Sequence, residues 1–238
     1  MTTVFLFPFA GGDRHSYQFL KPYFSSSIKT VTIEPPGRGG RFGQPLLQDM
    51  DLVVDDALTQ ISDHIGGDYL FFGHSMGALT AFLLAKRLQA LRANLPKLLV
   101  VSGRNPPSID DYQASGKQLI HEMETDDFFS ALDRYDHVNE ALRVCPDLRQ
   151  LYEPILKADF KALASHTPTE PHNLLSIPIH CLIGQEEAIT LDNARLWQEE
   201  TTSGCTITTL SGHHFFIYNH AAYISHIINT SLLIRHET

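Results

Sequence analysis

Apolar residues along this chain gather into short runs closed by glycine or proline. They fall at residues 3–9 (TVFLFPF), 29–37 (KTVTIEPPG), 68–75 (DYLFFGHS), 97–107 (KLLVVSGRNPP) and 177–184 (IPIHCLIG), with a weaker run at 206–210 (TITTL). None alternates strictly between apolar and polar positions. Strands buried on both faces have this character, because neither side of the pleat meets water. Between the runs the apolar spacing becomes helical. Residues 49–65 carry apolar side chains at 52, 53, 57, 58, 61 and 65, and residues 77–92 are strongly apolar before turning basic at their end. Cations there suit the helix dipole. Residues 16–24, 191–203 and 221–236 supply further helical stretches. Strand and helix therefore alternate, which predicts an α/β fold: a mainly parallel sheet with helices on both faces.

Residues 108–170 break the alternation. They contain no strand pattern, are helical in tone, and lie between two strand runs. Helices inserted at the C-terminal edge of a parallel sheet would stand over the cleft where such folds bind ligands. The expectation is one domain, 1–238, with 108–170 as a helical lid; ordinary peripheral helices are the alternative.

The third strand run ends in Gly73-His74-Ser75-Met76-Gly77, a G-x-S-x-G pattern, and a helix pattern follows at once. Strand, sharp turn and helix are the context a nucleophile elbow demands. Side chains flanking the serine would strike the neighbouring strand and helix, so glycine stands on both sides. The Met76 amide would lie at a helix N-terminus, where it can donate to an oxyanion. A bare pattern of this kind arises by accident roughly 0.08 times in a chain of this length at about 7% glycine and serine. The strand before it and the helix after it carry the argument.

A serine nucleophile of this kind is followed in chain order by an acid and then a histidine. The stretch LSGHHFF at 210–216 places His213 and His214 after the last strand run and before the last helix. The stretch CLIGQEEAIT at 181–190 places Glu186 and Glu187 just beyond the preceding strand. A carboxylate there can accept from a histidine Nδ1–H and set its tautomer. The loop FPFAGGD at 7–13 follows the first strand, and its glycines let backbone approach a substrate closely. The Ala10 amide is the expected second oxyanion donor. Neither G-x-G-x-x-G nor G-x-x-x-x-G-K-[ST] occurs, which weakens a phosphate-cradling reading of the same glycines.

Composition narrows the partners. The 238-residue chain has a formal net charge of −9 and no basic stripe, which argues against nucleic acid and anionic lipid. Its three cysteines, Cys145, Cys181 and Cys205, form no C-x-x-C spacing, so neither a zinc site nor a disulfide framework is expected. No run approaches the ~18 apolar residues of a membrane span, and the first residues read as a strand rather than a signal peptide. A cytoplasmic location is expected.

With these motifs in place, the chain resembles the type II, or external, thioesterases of polyketide, nonribosomal-peptide and fatty-acid synthesis. The resemblance runs through FPFAGGDRHSY (7–17), EPPGRGGR (34–41), GHSMGALTAF (73–82), VSGRNPP (101–107), YEPILKADF (152–160), PIHCLIGQEE (178–187) and LSGHHFF (210–216). It implies an α/β-hydrolase fold, Ser75 as nucleophile and His214, rather than His213, as the base. The family's aspartate, three residues past the strand-end glycine, falls on Glu187, with Glu186 beside it. Position 213 commonly holds glycine in the family, and His213 narrows that loop. Asp159 matches a family aspartate that holds the lid base or, less directly, serves as the acid. Arg38, Arg41 and Arg104 are implied to form structural ion pairs. The implied activity is hydrolysis of stalled or aberrant acyl thioesters on the phosphopantetheine arm of an acyl- or peptidyl-carrier protein, with no metal or organic cofactor. A chain-releasing fatty-acyl thioesterase, a carboxylesterase and a non-catalytic carrier-binding module stand as alternatives.

Overall fold

The computed structural model describes residues 2–109, 119–133, 142, 145–167 and 173–231. Six parallel strands form one sheet: β1 (Thr2–Phe7), β2 (Ile28–Thr32), β3 (Tyr69–His74), β4 (Leu99–Ser102), β5 (Ile179–Gly184) and β6 (Cys205–Leu210), in the order β2-β1-β3-β4-β5-β6. All six runs anticipated from the sequence are strands. The central ones are sealed on both faces, as their unbroken apolar character requires: Val4 to Phe7, Tyr69 to Phe72 and Leu99 to Val101 are essentially inaccessible. Side chains alternate between two cores. Phe5, Phe7 and Phe71 pack with Val54 and Leu79 on one face, while Val4, Leu6 and Phe72 pack with Tyr17, Leu20 and Ile224 on the other.

Helices α1 (Met50–Ile61) and α2 (Met76–Ala90) cover the first face, and α6 (Ala221–Ser231) the second. Asp49 caps α1, its carboxylate accepting from the Asp51 and Leu52 amides. Between β4 and β5 the chain inserts α3 (Thr125–Leu132) and α4 (Pro146–Ser165). The described part of the anticipated 108–170 segment is thus mainly helical, without a strand, and the rest of it lies outside the described residues, as do positions 232–236 of the last anticipated helix. Two helices differ from expectation. Residues 16–24 form a 3₁₀ stretch, Gln18–Tyr23, since Pro22 has no N–H for an α ladder. Residues 191–203 give only a five-residue α5 (Leu191–Arg195), after which a 3₁₀ turn carries Trp197 into the core, where its indole N–H donates to the Arg104 carbonyl at 3.0 Å.

The connection from β1 runs to one side, to β2, and the connection from the neighbouring β3 runs to the other, to β4. Ligands bind at such a switch point, outside the carboxyl ends of the strands. Here those ends are Phe7 of β1 and His74 of β3, the places where the glycine loop and the elbow begin. Tyr17 ties them together: its hydroxyl donates to the Phe7 carbonyl at 2.7 Å and accepts from the His74 amide at 3.1 Å. Burial pushes this hydroxyl well above the ordinary tyrosine range, which keeps it neutral and able to donate.

Candidate active site

Ser75 joins β3 to α2 with φ 54° and ψ −116°, a backbone conformation that non-glycine residues rarely adopt. Such strain costs about 1–3 kcal/mol and persists only where the surroundings enforce it. The Ser75 amide donates to the Ser102 carbonyl of β4 at 2.8 Å, fixing the turn to the sheet. Both flanking glycines are sterically obligatory. A Cβ on Gly77 would run into the Phe7 carbonyl of β1, and one on Gly73 would run into the backbone of Gly77. Met76 opens α2, so its amide belongs to the first turn, which has no intrahelical acceptors.

The loop after β6 turns at Gly212, φ +116°, and sends the two histidines in different directions. His213 is exposed, its Nδ1 3.2 Å from the Glu186 carbonyl. His214 points inward. Its ring lies 4.8 Å from that of His74, the residue before Ser75, and 5.3 Å from that of Phe215. Gly103, at φ +57° after β4, makes room for these rings: a Cβ there would press on both imidazoles.

The adjacent glutamates also diverge. The Glu187 side chain is only 3% exposed, and its Oε2 stands 3.1 Å from His214 Nδ1. Its Oε1 accepts from the Gly184 amide at 2.6 Å, so the carboxylate is anchored to the end of β5. Glu186 is exposed, and its carboxylate accepts from the Gly212 amide. The structure therefore brings Glu187, rather than Glu186, to His214.

Asp159 lies elsewhere. It is buried on α4 and its two oxygens meet Arg38 Nη1 at 2.6 Å and Nη2 at 2.7 Å; Oδ2 also accepts from the Gly11 amide at 2.7 Å. Arg38 Nη1 reaches the Gly12 carbonyl as well, at 3.3 Å. Of the other arginines, Arg41 makes a forked pair with Asp56 at 2.7 Å on both branches, and Arg104 is buried with its carbonyl on Trp197. Ala10 sits in a tight turn closed by the Gly12 amide on the Phe9 carbonyl at 2.8 Å. The third residue of that turn, Gly11, has φ +77°, as a type II turn requires.

A groove of about 380 Å³ opens beside this turn, lined by Phe9, Gly11, Gly12, Phe19, Tyr152 of α4 and Tyr218 among others. Phe9 packs edge-on against Phe215, 5.0 Å away and next to His214 in the chain. A second, narrow apolar pocket under the same turn, bounded by Phe7, Pro8, Met76 and Thr80, has neither Ser75 nor His214 in its lining. Among the described residues no three metal-ligating side chains gather into a cation site, and no helix is long and apolar enough to cross a membrane.

Sequence reasoning missed three contributors: His74, Gly103 and the amide of Gly184. His74 sits inside the G-x-S-x-G pattern as an unspecified position, and Gly103 follows a strand run. The glycines at or just past the ends of β3, β4 and β5 are the one available signal.

A family model for the thioesterase domain matches residues 2–232. A probable cadicidin biosynthesis thioesterase of Streptomyces griseus is 27% identical over 215 residues, covering 90% of this chain; the chain spans 58% of that protein's length. The solved type II thioesterase BorB, from the borrelidin biosynthetic cluster, is 26% identical, with a TM-score of 0.83 over 98% of this chain and 91% of that one. ClbQ, from the colibactin pathway, superposes with a TM-score of 0.89 over 98% and 97% of the two chains at 24% identity, a likeness of α/β-hydrolase fold.

Proposed function

The chain belongs to the thioesterase domain family, and from that premise we propose that it is a type II thioesterase that clears acyl groups from the phosphopantetheine arm of acyl- or peptidyl-carrier proteins in the cytoplasm. The observation that carries this reading is the chain of contacts from the Gly184 amide through Glu187 to His214, whose ring lies 4.8 Å from that of His74, the residue before Ser75. In this reading Glu187 holds a proton on His214 Nδ1, leaving Nε2 to act as base. Ser75 Oγ loses its proton to His214 and attacks the thioester carbonyl. The C–S bond breaks and the sulfur leaves with the proton from His214. Water, activated by the same imidazole, then adds to the acyl-serine and the Oγ–C bond breaks, which regenerates Ser75. The amides of Met76 and Ala10 receive the negative oxygen at each tetrahedral stage. Residues 1–238 act as one domain with 108–170 as its lid, α4 carrying Tyr152 to the groove.

The test is a panel of acyl-carrier proteins, with release read by intact-protein mass, beside matched oxyesters. Ser75→Ala folds and loses hydrolysis by several orders of magnitude, keeping only what the oxyanion donors provide, and a serine-directed phosphonate labels Ser75 alone. An active Ser75→Ala protein, or labelling elsewhere, overturns the reading. Faster turnover of oxyesters makes it a carboxylesterase, and binding without turnover makes it a carrier-binding module.

A further inference from the structure

We propose that Asp159, held by Arg38, is a positioning residue that fixes the oxyanion turn, rather than the acid partner of the histidine. The inference rests on the reading of Ala10 as oxyanion donor given above. The Phe9–Gly12 turn is closed by one backbone hydrogen bond, and its central peptide, Ala10–Gly11, is the part free to rotate. Types I and II of such a turn differ by the flip of that peptide, and only type II requires the positive φ seen at Gly11. The N–H of this same peptide is what Asp159 receives at 2.7 Å. The carboxylate thus selects one of two turn conformations. It also engages the Gly11 amide, so that the neighbouring Ala10 amide is the one presented.

Charge and burial make this clamp stiff. Arg38 and Asp159 side chains are 5% and 4% exposed, and the guanidinium grips both carboxylate oxygens in a fork, which sets the plane of the carboxylate as well as its position. The same guanidinium touches the Gly12 carbonyl, so the turn is held from two sides. Leu156, one helical turn before Asp159, fills the space where Gly11 would carry a side chain: a Cβ there would stand 2.6 Å from its Cδ2. Three elements remote in sequence meet at this point: the loop after β1, the loop after β2, and α4. None of these contacts involves His214.

The experiment separates positioning from mere support. Replacing a buried ion pair by apolar residues is often neutral for stability, so Arg38→Met/Asp159→Leu removes the pair and the acceptor for Gly11 together. Arg38→Met/Asp159→Asn removes the pair and keeps a carbonyl acceptor for the Gly11 amide. Loss of a single oxyanion donor costs ~10²–10³ in kcat. The Leu variant is expected to lose ~10–10³ in kcat with KM within a few-fold of wild type, and the Asn variant to recover most of it. Infrared spectra of the acyl-Ser75 form supply the second readout. The acyl carbonyl stretch lies lower when the oxyanion amides are aimed at it, so it rises in the Leu variant and returns in the Asn variant. If the Leu variant does not fold, Arg38→Met/Asp159→Ala takes its place. Equal kcat and an equal carbonyl stretch in the two double variants overturn the proposal. Failure of the underlying site reading looks different, since wild type itself would then show no Ser75-dependent turnover and form no acyl-Ser75.

Discussion

Replacing Glu187 by glutamine tests the acid in the most exacting way, because the structure decides how the new amide must sit. Glu187 Oε1 accepts from the Gly184 amide at 2.6 Å. Only an oxygen can take that place, so the glutamine carbonyl goes to Gly184 and its NH₂ turns to His214. A donor then faces Nδ1 at the 3.1 Å now spanned by Oε2. Two N–H groups cannot share that contact. His214 must give up its Nδ1 proton and carry one on Nε2, the nitrogen that has to accept from Ser75. The variant therefore has the wrong tautomer and also lacks the negative charge that stabilises the imidazolium. In serine-histidine-acid sites the equivalent isosteric change costs ~10⁴ in kcat, or about 5.4 kcal/mol of transition-state stabilisation.

The full penalty is expected for Glu187→Gln because Gly184 leaves no alternative amide orientation. Glu187→Asp keeps the charge and loses a methylene. It can no longer reach both Gly184 and His214, and falls between wild type and the glutamine variant. Glu186→Gln keeps an oxygen for the Gly212 amide and changes an exposed group, so it stays near wild type. The assay is turnover of one acyl-carrier substrate by each variant, with thermal unfolding run alongside. A Glu187→Gln enzyme within ten-fold of wild type, or a crippled Glu186→Gln, refutes the reasoning.

Three further outcomes follow from the fold. Gly77→Ala puts a methyl into the Phe7 carbonyl and is expected to destabilise by about 3 kcal/mol in urea unfolding, the upper end of overpacking costs, whereas Gly66→Ala, with open space around its Cβ, stays within about 0.5 kcal/mol. Ser75→Gly relieves the left-handed strain that Ser75→Ala retains, so the glycine variant is more stable than the alanine variant by about 1–3 kcal/mol although both are inactive; equal stabilities would mean that the elbow is unstrained. Burial on β5 holds His180 below the ordinary histidine range, so the unfolded chain takes up its proton first as pH falls through about 6.5 and stability declines. Urea unfolding at pH 7.5 and 5.5 should show a smaller decline for His180→Gln, and an unchanged decline removes His180 from the account.

The sheet was legible because each strand carries its own signal. A strand buried on both faces is apolar throughout, and its end is marked by the glycine or proline that stops it: Gly184 ends β5, and Gly103 follows β4. The elbow was legible for the same reason. Its two glycines answer collisions with Phe7 and with the backbone of Gly77, and such collisions leave a mark at fixed spacing in the sequence. The two helices that came out shorter or tighter than their patterns are those where Pro22 removes a donor and where Trp197 draws the chain inward. Only the first has a local signal.

The residues alone give the place of the candidate acid but not its register, which only the family spacing puts on Glu187, and the reason is geometric. Glu186 and Glu187 are chemically identical and adjacent, so pattern alone cannot say which faces the histidine. What separates them is a pair of backbone amides, Gly184 behind Glu187 and Gly212 in front of Glu186, and amides carry no residue identity. Asp159 poses the same difficulty over a longer distance. Its partner Arg38 is 121 residues away and its second partner is again an amide, that of Gly11. A carboxylate in this fold is therefore sorted by which backbone N–H it accepts from. One anchored by the strand end beside the last loop is placed to orient a histidine, and one anchored by the glycine turn after β1 is placed to orient that turn. That division is why two family-like acids, Glu187 and Asp159, can both have buried side chains at the same sheet edge without competing for His214.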